Sequence, residues 1–192
     1  MAHWFHRYKR LTDEALMSLI QQKEDAAFDV LFQRYSPVLQ NFFFRRTGGD
    51  ADLAADLTQN LFLSVWSNSH QCREPYAVRA WIFSIAYNLL KNHHRSAHYQ
   101  EILTLEIESC YEMAVEDNTP LRIDDEILKN ALQTELEHLN EAEQLLFELR
   151  FSEGLSVPEI AQIMNIPEGT VKSRLHTLTY KLRQKLTKYG NL

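Results

Sequence analysis

Apolar residues in this 192-residue chain recur three and four positions apart in segment after segment, and no stretch shows the convincing alternation that a strand requires. Phe28, Leu31, Phe32, Tyr35, Leu39 and Phe42 share one helix face; Leu53, Leu57, Leu61 and Val65 share a second; Ile82, Ile85, Ala86 and Leu89 share a third. Glycine and proline, five of each, interrupt little of this. The expected fold is all-α.

The periodicity lapses between residues 99 and 125. That stretch holds one basic residue against eight acidic ones, ends in Asn118-Thr119-Pro120 and carries only isolated apolar residues. It reads as an acidic linker with room for a short helix. Helical spacing resumes at Ile127, Leu128, Ala131, Leu132 and Leu136. The expected organisation is two small helical domains, 1–98 and 126–192, joined by the linker 99–125.

The net charge of −6 conceals an uneven distribution. Residues 1–98 carry 11 Lys and Arg against 9 acids, and residues 126–192 carry 8 against 9, so most of the acidity lies in the linker. Residues 169–192 hold six cations, Lys172, Arg174, Lys181, Arg183, Lys185 and Lys188, and no acid. A local bias of this kind points to nucleic acid even in an acidic chain.

Just before it, Ser156-Val157-Pro158-Glu159 has the form of a capping box, with Pro158 tolerable in a first turn. Ile160, Ala161, Ile163 and Met164 form a short apolar face, Asn165-Ile166-Pro167 ends it, and Val171, Leu175, Leu178, Leu182 and Leu186 supply the stripe of a longer helix. Short helix, tight turn and basic helix make a helix-turn-helix, whose second helix enters the major groove by its N-terminal end. Thr170, Lys172, Ser173, Arg174, His176 and Tyr180 are the residues expected on its DNA side. A helical hairpin with a solvated basic face is the plainer alternative.

In the first domain, residues 79–96 read RAWIFSIAYNLLKNHHRS. Ser84, Asn88, Lys91, Asn92 and Arg95 fall on one side, with Trp81 beside Ser84 and Asn88. Amides, cations and an aromatic ring together can hold phosphates, read an unpaired base edge and stack on it. Trp81 fits either that role or a place in the core.

Other classes find little support. A composition of 45% hydrophobic and 24% charged residues is ordinary for a globular protein. No run approaches the roughly 18 apolar residues of a membrane span, so no membrane insertion is expected. The N-terminal MAHWFHRYKR lacks the apolar core of a signal peptide, which makes a cytoplasmic location the default. Cys72 and Cys110 are expected as unpaired reduced thiols. His93, His94 and His98 lack a carboxylate or thiol to complete a metal set, so neither metal nor cofactor is expected.

The stretch 52–66, DLAADLTQNLFLSVW, followed by AWIFSIAYN, resembles region 2 of extracytoplasmic-function (ECF) sigma factors of the sigma-70 family. EGLSVPEIAQIMNIPEGTVKSRL resembles their region 4, and the two lie in the family's order and spacing. The resemblance implies a bacterial sigma factor, not itself an enzyme, that binds core RNA polymerase and promoter DNA. It places Asp52, Asp56, Gln59, Phe62 and Trp66 on the helix that docks on the polymerase clamp. It places Trp81, Ser84, Asn88, Lys91, Asn92 and Arg95 at the −10 element, and Thr170, Lys172, Ser173, Arg174, His176 and Tyr180 at the −35 element. It further implies an anti-sigma factor, in this family often membrane-attached, and a linker that either threads toward the RNA exit path or serves as a solubilising spacer.

Some residues depart from the family pattern. Ala55 and Asn60 stand where glutamates are usual, Asn92 where an aspartate is common, and His176-Thr177-Leu178 where Arg-Ala is usual. Two alternatives stand beside the sigma reading: a stand-alone helix-turn-helix regulator, and a sigma-like mimic that sequesters an anti-sigma factor.

Overall fold

A computed structural model describes residues 7–72, 78–95 and 126–189, and every regular element among them is helical, as the periodicity implies. The acidic stretch 99–125, together with Cys110 and His98, lies outside the described residues. The chain divides into two compact units, Met1–Glu101 and Ile102–Leu192.

The first unit contains α1 (Asp13–Gln21), α2 (Asp25–Arg46), α3 (Ala51–Asn68), a 3-10 turn (Ser69–Gln71) and α4 (Val78–Arg95). Side chains begin two of these helices: Thr12 accepts from the Ala15 N–H at 3.3 Å and Asp50 from the Leu53 N–H at 3.0 Å. Each such cap is worth about 1 kcal/mol. Gly48 and Gly49, at φ +66° and +86°, make the turn between α2 and α3 in a backbone region that L side chains avoid. Leu16, Ile20, Leu31, Leu39, Phe42, Phe43, Leu61, Ile82 and Phe83 fill the core. Phe83 meets Phe42 edge to face, with ring centroids 5.5 Å apart.

The N-terminal segment is fastened to α2 by polar contacts. The Arg34 guanidinium pairs with the Asp13 carboxylate and donates to the Leu11 carbonyl at 3.0 Å, while the Tyr35 hydroxyl donates to Asp13. Burial, then that hydrogen bond, pushes the Tyr35 phenol well above its usual range.

One expected stripe is rotated. On α4 the buried face is Val78, Ile82, Phe83, Ala86, Tyr87 and Leu90, whereas Ile85 and Leu89 are only half-buried. This helix carries apolar residues on two adjacent faces, and spacing alone does not rank them. Packing against Phe42 selects the face with the larger ring. Similarly, Phe28 is half-buried and Phe32 lies at the surface, while Leu31, Tyr35, Leu39 and Phe42 form the core side of α2.

The second unit contains α5 (Glu126–Glu137), α6 (Glu141–Phe147) running into a π-helical turn (Glu148–Ser152), α7 (Val157–Met164) and α8 (Glu168–Leu186). The Ser156 capping box forms: Ser156 N–H donates to Glu159 Oε2 at 2.7 Å, and Ser156 Oγ accepts from the Glu159 N–H at 3.5 Å. A second box joins Asn140 and Glu143 at the start of α6. Asn165 ends α7 in the left-handed region at φ +53°, and Pro167 precedes α8. Val171, Leu178, Leu182 and Leu186 are buried along α8, with Leu175 half-buried at the edge of the stripe.

Candidate polymerase and nucleic-acid interfaces

On α3, Asp52, Asp56 and Gln59 stand exposed at spacings of four and three, which puts them in one row. Leu63 continues that row and is 65% exposed, an unusual place for a leucine and one that helical spacing did not flag. Phe62 points the other way. It is 3% exposed, with its ring centroid 4.6 Å from that of Phe32 and 6.0 Å from that of Phe28. Phe62 therefore shapes this surface from beneath, and Phe32, 38% exposed, is what reaches the outside.

Trp66 is half-buried at the margin of the cluster, 5.1 Å from Phe28. The Lys23 ammonium lies 4.8 Å from its ring centroid and donates to its carbonyl at 3.3 Å. The combined surface offers carboxylates, an amide, a bare leucine and the edges of an aromatic cluster. Such a surface suits a protein partner more than an anionic one.

Between α3 and α4 lies a cleft of about 210 Å³, lined by Ser64, Asn68 and Gln71 on one side and by Trp81, Ile85, Asn88, Leu89 and Asn92 on the other. Trp81, Ile85, Asn88 and Asn92 recur at spacings of four, three and four, which brings them to one helix face. Trp81 is half-buried as a wall of this cleft, between the two placements its sequence context left open. A cavity of about 150 Å³ holds a benzene molecule, so the cleft has room for an aromatic ring, with amide donors and acceptors around it.

The other expected residues of this face lie to one side. Ser84 Oγ donates to the Trp81 carbonyl at 2.7 Å, so its hydroxyl is engaged within α4. Lys91 is half-buried, and the side chain of Arg95 lies outside the described residues. Spacing had grouped Ser84, Asn88, Lys91, Asn92 and Arg95 as one face. The structure puts Trp81, Asn88 and Asn92 in the recess and leaves Ser84 and Lys91 outside its lining.

On α8, Lys172, Ser173, Arg174 and His176 are exposed and Thr170 is half-buried. Ser173 Oγ donates to the Thr170 carbonyl at 3.1 Å, a contact a solvent-facing hydroxyl can exchange for another acceptor. Tyr180 stands two turns further on, 58% exposed. The basic character of this helix is narrower than its sequence implies. Lys181 pairs with Glu143 and Lys185 with Glu135, each at 2.6 Å. Those two cations fasten α8 to α6 and α5, whereas Lys172 and Arg174 stand exposed on its N-terminal half.

Comparison with known proteins decides between the readings of this architecture. Residues 31–99 match the family described as Sigma-70 region 2, and residues 129–177 match Sigma-70, region 4. The ECF RNA polymerase sigma-E factor of Haemophilus influenzae is 30% identical over 190 residues, covering 93% of this chain and 97% of that protein. The chain belongs to the ECF RNA polymerase sigma factors. The sigma factor SigL of Mycobacterium tuberculosis is 29% identical over 168 residues, covering 87% of this chain and 93% of that one. A solved structure of CnrH in complex with the cytosolic domain of CnrY shares the fold, with a TM-score of 0.60 at 19% identity over 92% of this chain and 96% of that one.

As a sigma-70 family member the chain is a transcription initiation factor, and its partners are core RNA polymerase and promoter DNA. Within the sigma factor, α3, the recess and α4 fall in the region 2 match, and most of the helix-turn-helix falls in the region 4 match. No described helix is long and apolar enough to cross a membrane.

Proposed function

We propose that the two units divide promoter recognition by the state of the DNA each receives. The recess between α3 and α4 takes an unpaired base of the −10 strand. Trp81 stacks on it while Asn88 and Asn92 present donors and acceptors to its edge. Lys91, and Arg95 further along, follow the adjoining phosphates. The exposed N-terminal end of α8 enters the major groove at the −35 element, with Lys172 and Arg174 on phosphates or base edges and Thr170, Ser173, His176 and Tyr180 completing the contact. The observation that carries this reading is the recess itself, because a duplex cannot enter it and a single base can.

The row Asp52, Asp56, Gln59 and Leu63 docks on the clamp coiled coil of core polymerase, backed by Phe62 and flanked by Trp66. No covalent step falls to the sigma factor. Its contribution is binding energy spent on unpairing DNA, and captured bases cannot re-stack. It therefore acts in the cytoplasm as a subunit and not as an enzyme. An anti-sigma factor holds it inactive by covering these surfaces.

The test is reconstitution. Purified sigma factor is mixed with core RNA polymerase and a genomic fragment library, and transcripts are mapped to their start sites. Shared −10 and −35 sequences upstream of the starts support the proposal. Failure to bind core leaves a stand-alone DNA-binding protein.

A further inference from the structure

The wall of the recess contributed by Asn68 and Gln71 joins the last residue of α3 to the 3-10 turn that follows it. A turn of three residues is a weak support for side chains that must meet a base, since its few backbone hydrogen bonds open readily. No basic residue lies in the last turn of α3 to offset its exposed carbonyls. The missing donors come from the end of α1, more than forty residues earlier. Gln21 Nε2 donates to the Ser69 carbonyl at 2.9 Å and to the Cys72 carbonyl at 3.1 Å, one at each end of the turn. The Ser69 carbonyl also accepts from the Cys72 N–H at 3.1 Å, which closes the turn.

Lys23, beside it, donates to the Trp66 carbonyl. It does so from a left-handed backbone at φ +66°, a region a lysine seldom occupies. Across the turn, Gln71 Nε2 donates to Asn68 Oδ1 at 3.4 Å, so the two amides lining the recess orient one another. Ser69 and Cys72 are buried against the core, whereas Gln71 faces outward.

We propose that Gln21 is a positioning residue for −10 reading: it braces the Ser69–Gln71 turn from α1 and so sets the distance between the Asn68–Gln71 wall and the Trp81–Asn88–Asn92 wall. The inference rests on the assignment of the recess to an unpaired −10 base. Gln21 lies before residue 31, outside the segment that matches region 2, and its side chain does not line the recess. Its influence on DNA is therefore indirect, through the turn.

The experiment uses the full-length sigma factor, with Cys110→Ser so that Cys72 is the one thiol. Gln21→Glu is close to isosteric and turns the donor into a carboxylate facing two carbonyls. Gln21→Lys keeps a donor within reach of both. Two quantities are read: the rate at which Cys72 in the free protein reacts with 5,5′-dithiobis(2-nitrobenzoate), and the discrimination of the holoenzyme among single-base variants of its −10 element. Gln21→Glu is expected to speed the thiol reaction and to lower discrimination about five- to tenfold, the equivalent of one or two hydrogen bonds. Affinity for core polymerase should be unchanged, with Gln21→Lys lying between Gln21→Glu and the parent.

Discrimination at the parental level in Gln21→Glu, with Asn88→Ala abolishing it, overturns the bracing role and leaves the recess assignment standing. Discrimination surviving Asn88→Ala overturns the recess assignment and the bracing role with it. A loss of core affinity in step with discrimination marks general destabilisation of the first unit and overturns a positioning role.

Discussion

The two faces proposed to meet nucleic acid are built on opposite plans. On α4 the functional groups sit in a recess, amide-rich and backed by a tryptophan, and the cation beside them is half-buried. On α8 they stand exposed along the helix, with Lys172 and Arg174 on its N-terminal half. A recess can accept only a group that leaves its neighbours, whereas a protruding helix fits a groove whose pairs stay closed. Under that proposal, a chain of net charge −6 handles DNA through two small and dissimilar surfaces without a general basic coat.

The sharpest way to break that comparison is to remove the support of one face only. Phe83, fully buried against Phe42, holds α4 in place. Phe83→Ala should cost about 3–5 kcal/mol in the first unit. Calorimetry should show the transition of that unit falling while the transition of the second unit stays. A common shift of both transitions would mean that the units do not fold independently.

Smaller and more pointed is Trp81→Ala, which removes the stacking surface and should weaken binding of a single-stranded −10 oligonucleotide to holoenzyme by about 1–3 kcal/mol. Binding of a −35 duplex should be unaffected, and fluorescence of a 2-aminopurine at the captured position reports the first quantity.

On α8, Lys172→Ala should lower the salt dependence of duplex binding by about one unit of log–log slope. Lys185→Ala should leave the slope alone, because that ammonium is paired with Glu135, and should cost less than about 1 kcal/mol of stability. Equal slopes for the two variants would undo the distinction between the end of α8 proposed to meet DNA and the end that is fastened to α5 and α6.

The smallest effect is alkaline. Below about pH 10 the Tyr35 phenol is protonated in both folded and unfolded chains, and its contribution to stability is complete. As pH rises past 10 the unfolded phenol ionises while the folded one, raised by burial and by Asp13, does not. The first unit should lose stability through that window, and Tyr35→Phe should flatten the loss in denaturant titrations repeated between pH 9 and 11.

Much of this was legible in the sequence because it is local. The Ser156 box, the Asn165-Ile166-Pro167 break and the α8 stripe are set by residues within one or two turns of each other. The Asn140–Glu143 box carried the same signal and could have been found by the same rule. What local spacing missed depends on partners distant in the chain. The Lys181–Glu143 and Lys185–Glu135 pairs span 38 and 50 positions and engage two of the six cations of residues 169–192 with the rest of the second unit. Phe83 displaces Ile85 and Leu89 from the core because Phe42 lies opposite. Asn68 and Gln71 join the recess only once α3 and α4 are packed, and Gln21 meets the carbonyls of Ser69 and Cys72 from 48 and 51 positions away.

The division of labour between recess and protruding helix is tested most directly by mapping base preference at every promoter position with holoenzymes carrying Asn88→Ala or His176→Ala. Asn88→Ala should relax preference within the −10 element and nowhere else, and His176→Ala should change preference within the −35 element alone. Relaxation at −35 from the Asn88 variant, or at −10 from the His176 variant, would contradict that division.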